Sequence, residues 1–296
     1  MNKNRNNILL LLLAAAAVYS LAINDSLMFG GDDYIYMLLS QSVIEGKGFV
    51  DIFLPDEPAH TVYPPGVPFI IAASSVLTGG GVVSAKVVFA CFMLAGIYLF
   101  WKIMRKLEYE YDFTAVLLFA LAPATLYFGS NICSEAPFIF FSMLTLFFAE
   151  EYSEEETHFN RYLTIMSFAM IAAFYLRTIG IALLPPVLLL FITKRQFKRG
   201  FIAGSIYLAG ILPWILRGIL TSSSYLSLLV QKKGASDSTV SMIMERMLSN
   251  AVLYTGKIPS ELFFYPVMGT IPKDHPLFVF KLIISLTIVL VVLTGY

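Results

Sequence analysis

Cysteine and charge are what this chain has least of. Of its 296 residues 2 are cysteine: Cys91 lies inside an apolar run and Cys133 near the end of one. Neither has CxxC spacing or a histidine cluster beside it, so thiol-based metal or redox work is excluded and both read as structural. Charged residues make up 14% of the chain, with 20 basic against 20 acidic and a formal net charge of zero. No basic patch and no acidic tail exist, which sets nucleic-acid partners aside. Internal repeats and low-complexity linkers are also lacking, so residues 1–296 read as a single domain.

Apolar residues are what the chain has in excess. Hydrophobic residues reach 58% and aromatics 15%, with a mean hydropathy of +0.76, beyond what a soluble globular domain shows. The expected fold is therefore all-α, a polytopic transmembrane helical bundle. Lys3 and Arg5 precede an apolar run from Ile8 to Ile23, which is either a signal peptide or a first span. Ala14 to Ala17 fall in mid-run and no small-residue cleavage site precedes Asn24-Asp25, so it reads as a retained span. Further runs cover Val82 to Phe100, Phe113 to Tyr127, Pro137 to Phe148, Tyr162 to Leu176, Ile179 to Ile192, Phe201 to Leu216 and Leu277 to Leu293. That makes about eight spans, several shorter than the ~20 residues a crossing needs, so they must tilt or borrow flanking residues. Gly66 to Thr78 is too brief to cross comfortably and ends in Gly79-Gly80-Gly81; it is placed as a helix on the outer surface.

The distribution of Lys and Arg orients this arrangement, because they accumulate in short cytoplasmic loops. If Gly66 to Thr78 does not cross, residues 1–7, 102–112, 150–161 and 194–199 all lie inside. Lys102, Arg105 and Lys106 then follow one span on that side, and Lys194, Arg195, Lys198 and Arg199 follow another. The N-terminus is cytoplasmic and the protein is expected in the plasma membrane. The outer side collects a first loop with juxtamembrane helices at 25–81, the Ser130 to Glu135 turn, Arg177 and a long loop at 217–276. That long loop carries Lys232, Lys233, Arg246 and Lys257 among tyrosines. An amphipathic piece within it, Ser241 to Leu248, suits lipid binding or gating, although an ordinary extracytoplasmic loop fits as well.

Every group suited to chemistry faces that outer compartment. Asp32 and Asp33 stand straight after the first span, and an acidic pair beside a bilayer sits in water, binds a cation or handles a proton. Asp32 can cap a helix from Asp33 to Glu45, stopped by Gly46, which puts Asp33, Tyr36 and Ser40 on one face. Ser134-Glu135-Ala136-Pro137 has the form of a helix start, where Glu135 would favourably meet the helix dipole. Arg177 interrupts an apolar stretch at the outer end of a span; it suits phosphate or carboxylate, or it snorkels to headgroups. His60 and His275 are outer-side histidines able to ligate zinc or simply to sit in solvent.

Gly31-Asp32-Asp33 with Tyr36, Tyr63-Pro64-Pro65-Gly66, Ser134-Glu135-Ala136-Pro137-Phe138, and Leu176-Arg177 followed by Pro185 together resemble a family. They are similar to the GT-C type glycosyltransferases that use polyprenyl-phosphate sugars, in particular the protein O-mannosyltransferase-like and aminoarabinose-transferase-like enzymes. The resemblance covers roughly Ile8 to Ile192. Many aminoarabinose transferases carry a basic residue before the Pro-Pro step; Tyr63 stands there in this chain, a departure that bears on that group's donor or acceptor. Chains of this kind commonly continue through further spans, so this one reads as a short or C-terminally truncated member.

The resemblance implies transfer of a sugar from a polyprenyl phosphate carrier to an acceptor hydroxyl on the extracytoplasmic face, with inversion at the anomeric carbon. Asp32 would be the general base with Asp33 as its alternative, Glu135 would orient a sugar, and Arg177 would meet the leaving phosphate. Tyr36 and Tyr63 complete the binding residues. No cofactor is required; magnesium or manganese could bridge Asp32 or Asp33 with Glu135. Two competing classes share these residues. In a transporter or lipid flippase Asp32, Glu135 and Arg177 line a path, and in a non-catalytic assembly subunit the acids merely cap helices. Cysteine-accessibility labelling tests the orientation: Arg105→Cys and Gln196→Cys are expected to react only from the cytoplasmic side, and reaction from outside would sink the arrangement.

Overall fold

The computed structural model describes residues 2–28, 31–108, 110–154 and 159–221, and farther on residues 244, 245, 247–251, 253, 283, 286 and 287. His275, most of the expected span Leu277 to Leu293 and most of the 217–276 loop lie outside the described residues; of the amphipathic piece Ser241 to Leu248, residues 244, 245, 247 and 248 are described. Two compact units are present, Met1–Leu121 with Thr125–Tyr225, and Ala122–Ala124 with Leu226–Tyr296. In the second, the described residues from Met244 onward are helical.

Ten α-helices make up the described chain: α1 Asn2–Ala22, α2 Asp33–Ile44, α3 Gly66–Thr78, α4 Val82–Lys106, α5 Asp112–Leu121, α6 Pro123–Ser130, α7 Glu135–Glu154, α8 Phe159–Leu176, α9 Leu184–Thr193 and α10 Phe197–Leu220. Among the described residues there is no strand, only one isolated antiparallel bridge between Val50 and Ala59. By length and apolar composition α4 and α10 are able to cross a membrane, and α5 with α6 form a third candidate bent by 58°. Shorter apolar helices include Gly66–Thr78 and Arg161–Leu176. Two of the expected runs are broken, and proline is the reason each time. Pro123 opens α6, having no N–H to give the preceding turn, and Pro185 and Pro186 start α9 after a 3₁₀ turn at Thr178–Leu183.

Large apolar side chains remain exposed along the outward faces of the long helices. Leu10 and Leu13 of α1, Val87 of α4, and Phe201 and Leu208 of α10 are examples. A patch of that kind on a helix surface suits hydrocarbon rather than water. Two packed cores lie beneath. Ile8, Phe89, Met93 and Val116 anchor one, and Met170, Phe191 and Tyr207 the other.

Among the described residues, the ion pairs of the helices gather toward two ends of the bundle. At one end Lys106 pairs with Glu151 at 2.7 Å and Lys194 with Glu150 at 2.7 Å, while Arg199 donates to the Tyr152 carbonyl. The ends of α4, α7 and α9 and the start of α10 are tied there, which gathers the basic clusters that the sequence groups together. The far end of α4 lies about 36 Å away at 1.5 Å rise per residue. There Lys86 donates to Asn24 Oδ1 at 3.0 Å and to the Ser26 carbonyl at 2.7 Å. Both ends of α3 belong to this second end. A Cβ on Gly66 would stand 2.5 Å from the Tyr175 carbonyl oxygen, at the close of α8. At the other end of α3, Gly79, Gly80 and Gly81 turn the chain straight into α4 with φ of 83°, 88° and 103°, values only glycine adopts easily. Helix α3 therefore does not run the length of the bundle.

The Gly66 contact makes a stability prediction. Gly66→Ala forces α3 away from α8 and is expected to cost about 1–3 kcal/mol, read as a lower melting temperature in detergent; an unchanged melting curve would contradict the close approach.

Candidate active site

Helix α2 starts at the acid pair, and the two acids have opposite surroundings. Asp33 is fully buried; its carboxylate accepts from the Met28 N–H at 2.7 Å and the Tyr34 N–H at 2.9 Å. Those bonds fold the segment after α1 back onto α2 and offset the cost of burying a carboxylate. Lys86, itself buried, lies within electrostatic reach. Asp32 is exposed. Its side chain does not cap α2, contrary to the simplest expectation for an Asp at that position, because Oδ1 accepts the Tyr63 phenol at 2.8 Å. The other end of α2 closes as expected: Gly46, at φ 74°, donates to the Val43 carbonyl and Lys47 to the Ser42 carbonyl, a Schellman arrangement.

A continuous chain of contacts leads on from Asp32. Tyr63 packs edge-on to Tyr36 with ring centroids 5.2 Å apart, and Tyr36 shares a buried face of α2 with Asp33 and Ser40. The Tyr36 phenol lies beside Ser134. Ser134 Oγ accepts from Arg177 Nη1 at 2.9 Å and donates to Glu135 at 3.3 Å. Arg177 Nη1 also pairs with Glu135 Oε1. The pair joins the first residue of α7 to the residue that ends α8. There the Arg177 backbone turns extended (φ −148°, ψ 127°) before the 3₁₀ segment. With side chains 37% and 30% exposed, the pair contributes under about 1 kcal/mol; its effect is orientation. The second guanidinium nitrogen, Nη2, stays free among the described residues.

Electrostatics confirm that these groups share one neighbourhood. Burial pushes the Tyr63 phenol up to about 12, and the bond to Asp32 adds to that. Burial raises Tyr36 still further, with Asp32 and Glu135 among the charges that contribute. Buried Cys133 is pushed up to about 12, first by burial and then by Glu135 and Asp33. Both phenols are therefore protonated at neutral pH, and Tyr63 is a hydrogen-bond donor to Asp32.

Behind Tyr63 lies a scaffold that the sequence did not reveal. The Val50–Ala59 bridge sets Asp51 beside His60, whose Nδ1 meets Asp51 Oδ1 at 2.7 Å while Nε2 accepts the Tyr63 backbone N–H at 2.8 Å. The ring stacks on Tyr63 at 5.6 Å. Arg217, at the close of α10, donates to the Phe49 and His60 carbonyls at 3.0 and 3.3 Å. With both nitrogens engaged and the residue buried, His60 has no lone pair left for zinc. Among the described residues no group of three or more His, Cys, Asp or Glu is placed to hold a metal ion.

All six sequence-derived site residues thus lie at one end of the bundle: Asp32, Tyr36, Tyr63, Glu135 and Arg177 in one contact chain, and Asp33 beneath it. Ser134 was legible only as a helix cap, and Lys86 stood unnoticed in an apolar run.

Acids, tyrosines and an arginine are thus gathered at one end of a helical bundle. Residues 62–217, over half of the chain, match the family model for dolichyl-phosphate-mannose-protein mannosyltransferase, and the chain belongs to that family. The match begins beside Tyr63 and ends at Arg217; Asp32 and Asp33 precede it. Two solved structures are similar in fold. One is the S. cerevisiae protein O-mannosyltransferase Pmt1-Pmt2 complex bound to the sugar donor, at a TM-score of 0.58 and 17% identity over 77% of this chain. The other is ArnT from Cupriavidus metallidurans in the apo state, at 0.57 and 15% over 95%. The chain spans 34% and 58% of their respective lengths. No curated protein sequence matches it.

Substitution at Tyr63 separates its hydroxyl from its ring. Tyr63→Phe keeps both ring contacts and is expected to change stability by about 1 kcal/mol, whereas Tyr63→Ala removes them and is expected to cost about 3 kcal/mol, compared by melting in detergent.

Proposed function

We propose that the protein transfers a sugar from a polyprenyl phosphate carrier to an acceptor hydroxyl at the extracytoplasmic face, inverting the anomeric carbon. The observation that carries this reading is the contact chain from Asp32 through Tyr63, Tyr36 and Ser134 to Glu135 and Arg177. It sets an exposed carboxylate and a partly free guanidinium on one site, as displacement from a phosphate leaving group needs.

Asp32 is the general base. Its carboxylate takes the acceptor hydroxyl's proton as that oxygen bonds to the anomeric carbon, while the bond to the carrier phosphate breaks and its electron pair leaves on the phosphate oxygen. Tyr63 holds Asp32 in register. Asp33, the alternative base, has both oxygens committed to backbone N–H groups, so its part is to fix the loop. Arg177 offers Nη2 to the departing phosphate with its planar donors already oriented by Glu135 and Ser134. Glu135 faces the sugar. A divalent cation, magnesium or manganese, would be the alternative source of positive charge, with Asp32 and Glu135 the carboxylates that would hold it.

In this reading residues 1–296 form one membrane domain of about eight tilted spans. The N-terminus and the Lys106 and Lys194 end lie in the cytoplasm, and the acid end faces out across the plasma membrane. Transporter pathways place their polar groups near the bilayer midplane; the concentration of charge at bundle ends favours the transferase.

Asp32→Asn is expected to lower transfer from a polyprenyl-phosphate sugar about 10²–10⁴-fold at unchanged expression, and transfer at the wild-type rate would refute the base. Native mass spectrometry is expected to find a glycosylated carrier on the wild type and not on Arg177→Ala. Treatment with EDTA, then magnesium or manganese, separates the two sources of charge: activity that survives chelation assigns the role to Arg177.

A further inference from the structure

His60 lies one residue behind the proposed chemistry and touches none of it, yet its two ring nitrogens join the two halves of the outer loop. Nδ1 is hydrogen-bonded to Asp51 and Nε2 accepts the Tyr63 N–H. An imidazole can make both bonds only when it is neutral with its proton on Nδ1, since the imidazolium is a donor at both positions. The rest of the chain is short. The His60 ring lies flat on the Tyr63 ring, interplanar angle 6°, and the Tyr63 hydroxyl donates to Asp32.

We propose that neutral His60 is a positioning residue for the base: it holds Tyr63 in the place where its phenol orients Asp32, and a proton on Nε2 releases it. The proposal rests on Asp32 being the general base. Protonation at Nε2 sets an N–H against the Tyr63 N–H, so that the two donors repel and the Tyr63 backbone must withdraw, carrying the phenol from Asp32. The loop cannot yield elsewhere to absorb this, because Arg217 pins the Phe49 and His60 carbonyls.

The charges around the ring set the direction. Asp51 faces it from the hairpin and favours the proton; Arg217 faces it from α10 and opposes it; Tyr63 presents a neutral phenol. Burial is the largest influence and holds the imidazole below its ordinary value of 6.5. For a group lowered in the fold, the contribution of the neutral form is complete above about 6.5, the value in the unfolded chain, and is lost as pH falls through the folded-state value. Transfer and loop order should therefore decline together on the acid side of 6.5.

Two measurements on the full chain in detergent test this. Amide exchange, corrected for the intrinsic effect of pH, is followed by mass spectrometry for the peptide spanning residues 60–66, which needs no turnover; the rate of transfer is followed over the same pH range. The wild type is expected to lose protection in this peptide and to lose rate in parallel on acidification. His60→Gln, whose amide oxygen can accept the Tyr63 N–H but cannot titrate, is expected to be about tenfold slower at pH 7.5 and to lose, in both measurements, the acid limb that titrates with His60. Asp51→Asn keeps an acceptor for Nδ1 and removes the charge that favours protonation, so both limbs should move to lower pH; this variant serves if His60→Gln does not fold. An unmoved acid limb in either variant overturns the proposal, as does a wild-type peptide whose protection is the same throughout. Asp32→Asn is the separate control: if it stays active the base assignment fails, while the exchange result still judges the link from His60 to Tyr63.

Discussion

The cost of an uncompensated charge in hydrocarbon organises this protein. Among the described residues, helices long enough to cross carry almost none between their ends, and charged side chains pair near the helix ends. At one end lysines of α4 and α9 hold glutamates of α7; at the other Arg177 holds Glu135 and Asp33 is wrapped in backbone N–H groups. The ion pairs tie segments distant in sequence. The same economy that keeps charge out of the membrane therefore pins the bundle at both ends and leaves the middle to apolar packing.

At the Arg177 end, one pair of neighbouring acids has been divided by burial. Asp33 is spent on structure. Asp32, one peptide further back, is exposed and, among the described residues, its side chain meets a phenol. A sequence offers no means of ranking two adjacent carboxylates, since helix geometry turns them through 100° and what each then meets depends on chain that comes 30 residues later. Tyr63 is that chain, and its own position depends on two prolines, on Gly66 passing close beside α8 and on the His60 ring behind it.

Membership of the mannosyltransferase family rests on residues 62–217; the acid pair comes before them. The joining of the two parts is a matter of contacts: Tyr63 reaches from the matched region to Asp32 and to the Tyr36 ring of α2. The site is thus composed of a segment inside the matched region and a segment before it. Pinning of the Phe49 and His60 carbonyls by Arg217 extends the same logic to the end of α10, where the matched region also ends.

Apolar runs, glycine turns and the grouping of basic residues were enough to name the class, place α3 on one side and put Asp32, Glu135 and Arg177 at a common end, because hydropathy and charge act on each segment separately. The breaks at Pro123 and Pro185 were also present in the sequence, but a run of apolar residues conceals them. What tertiary structure alone decided were the partners: Asp32 bonded to Tyr63 instead of capping its helix, Ser134 shared between Glu135 and Arg177, His60 committed at both nitrogens instead of open to a metal, and Lys86 buried against the first loop. Hydrogen bonds have a reach of about 3 Å, and no spacing along the chain specifies which groups the folded bundle will bring within it.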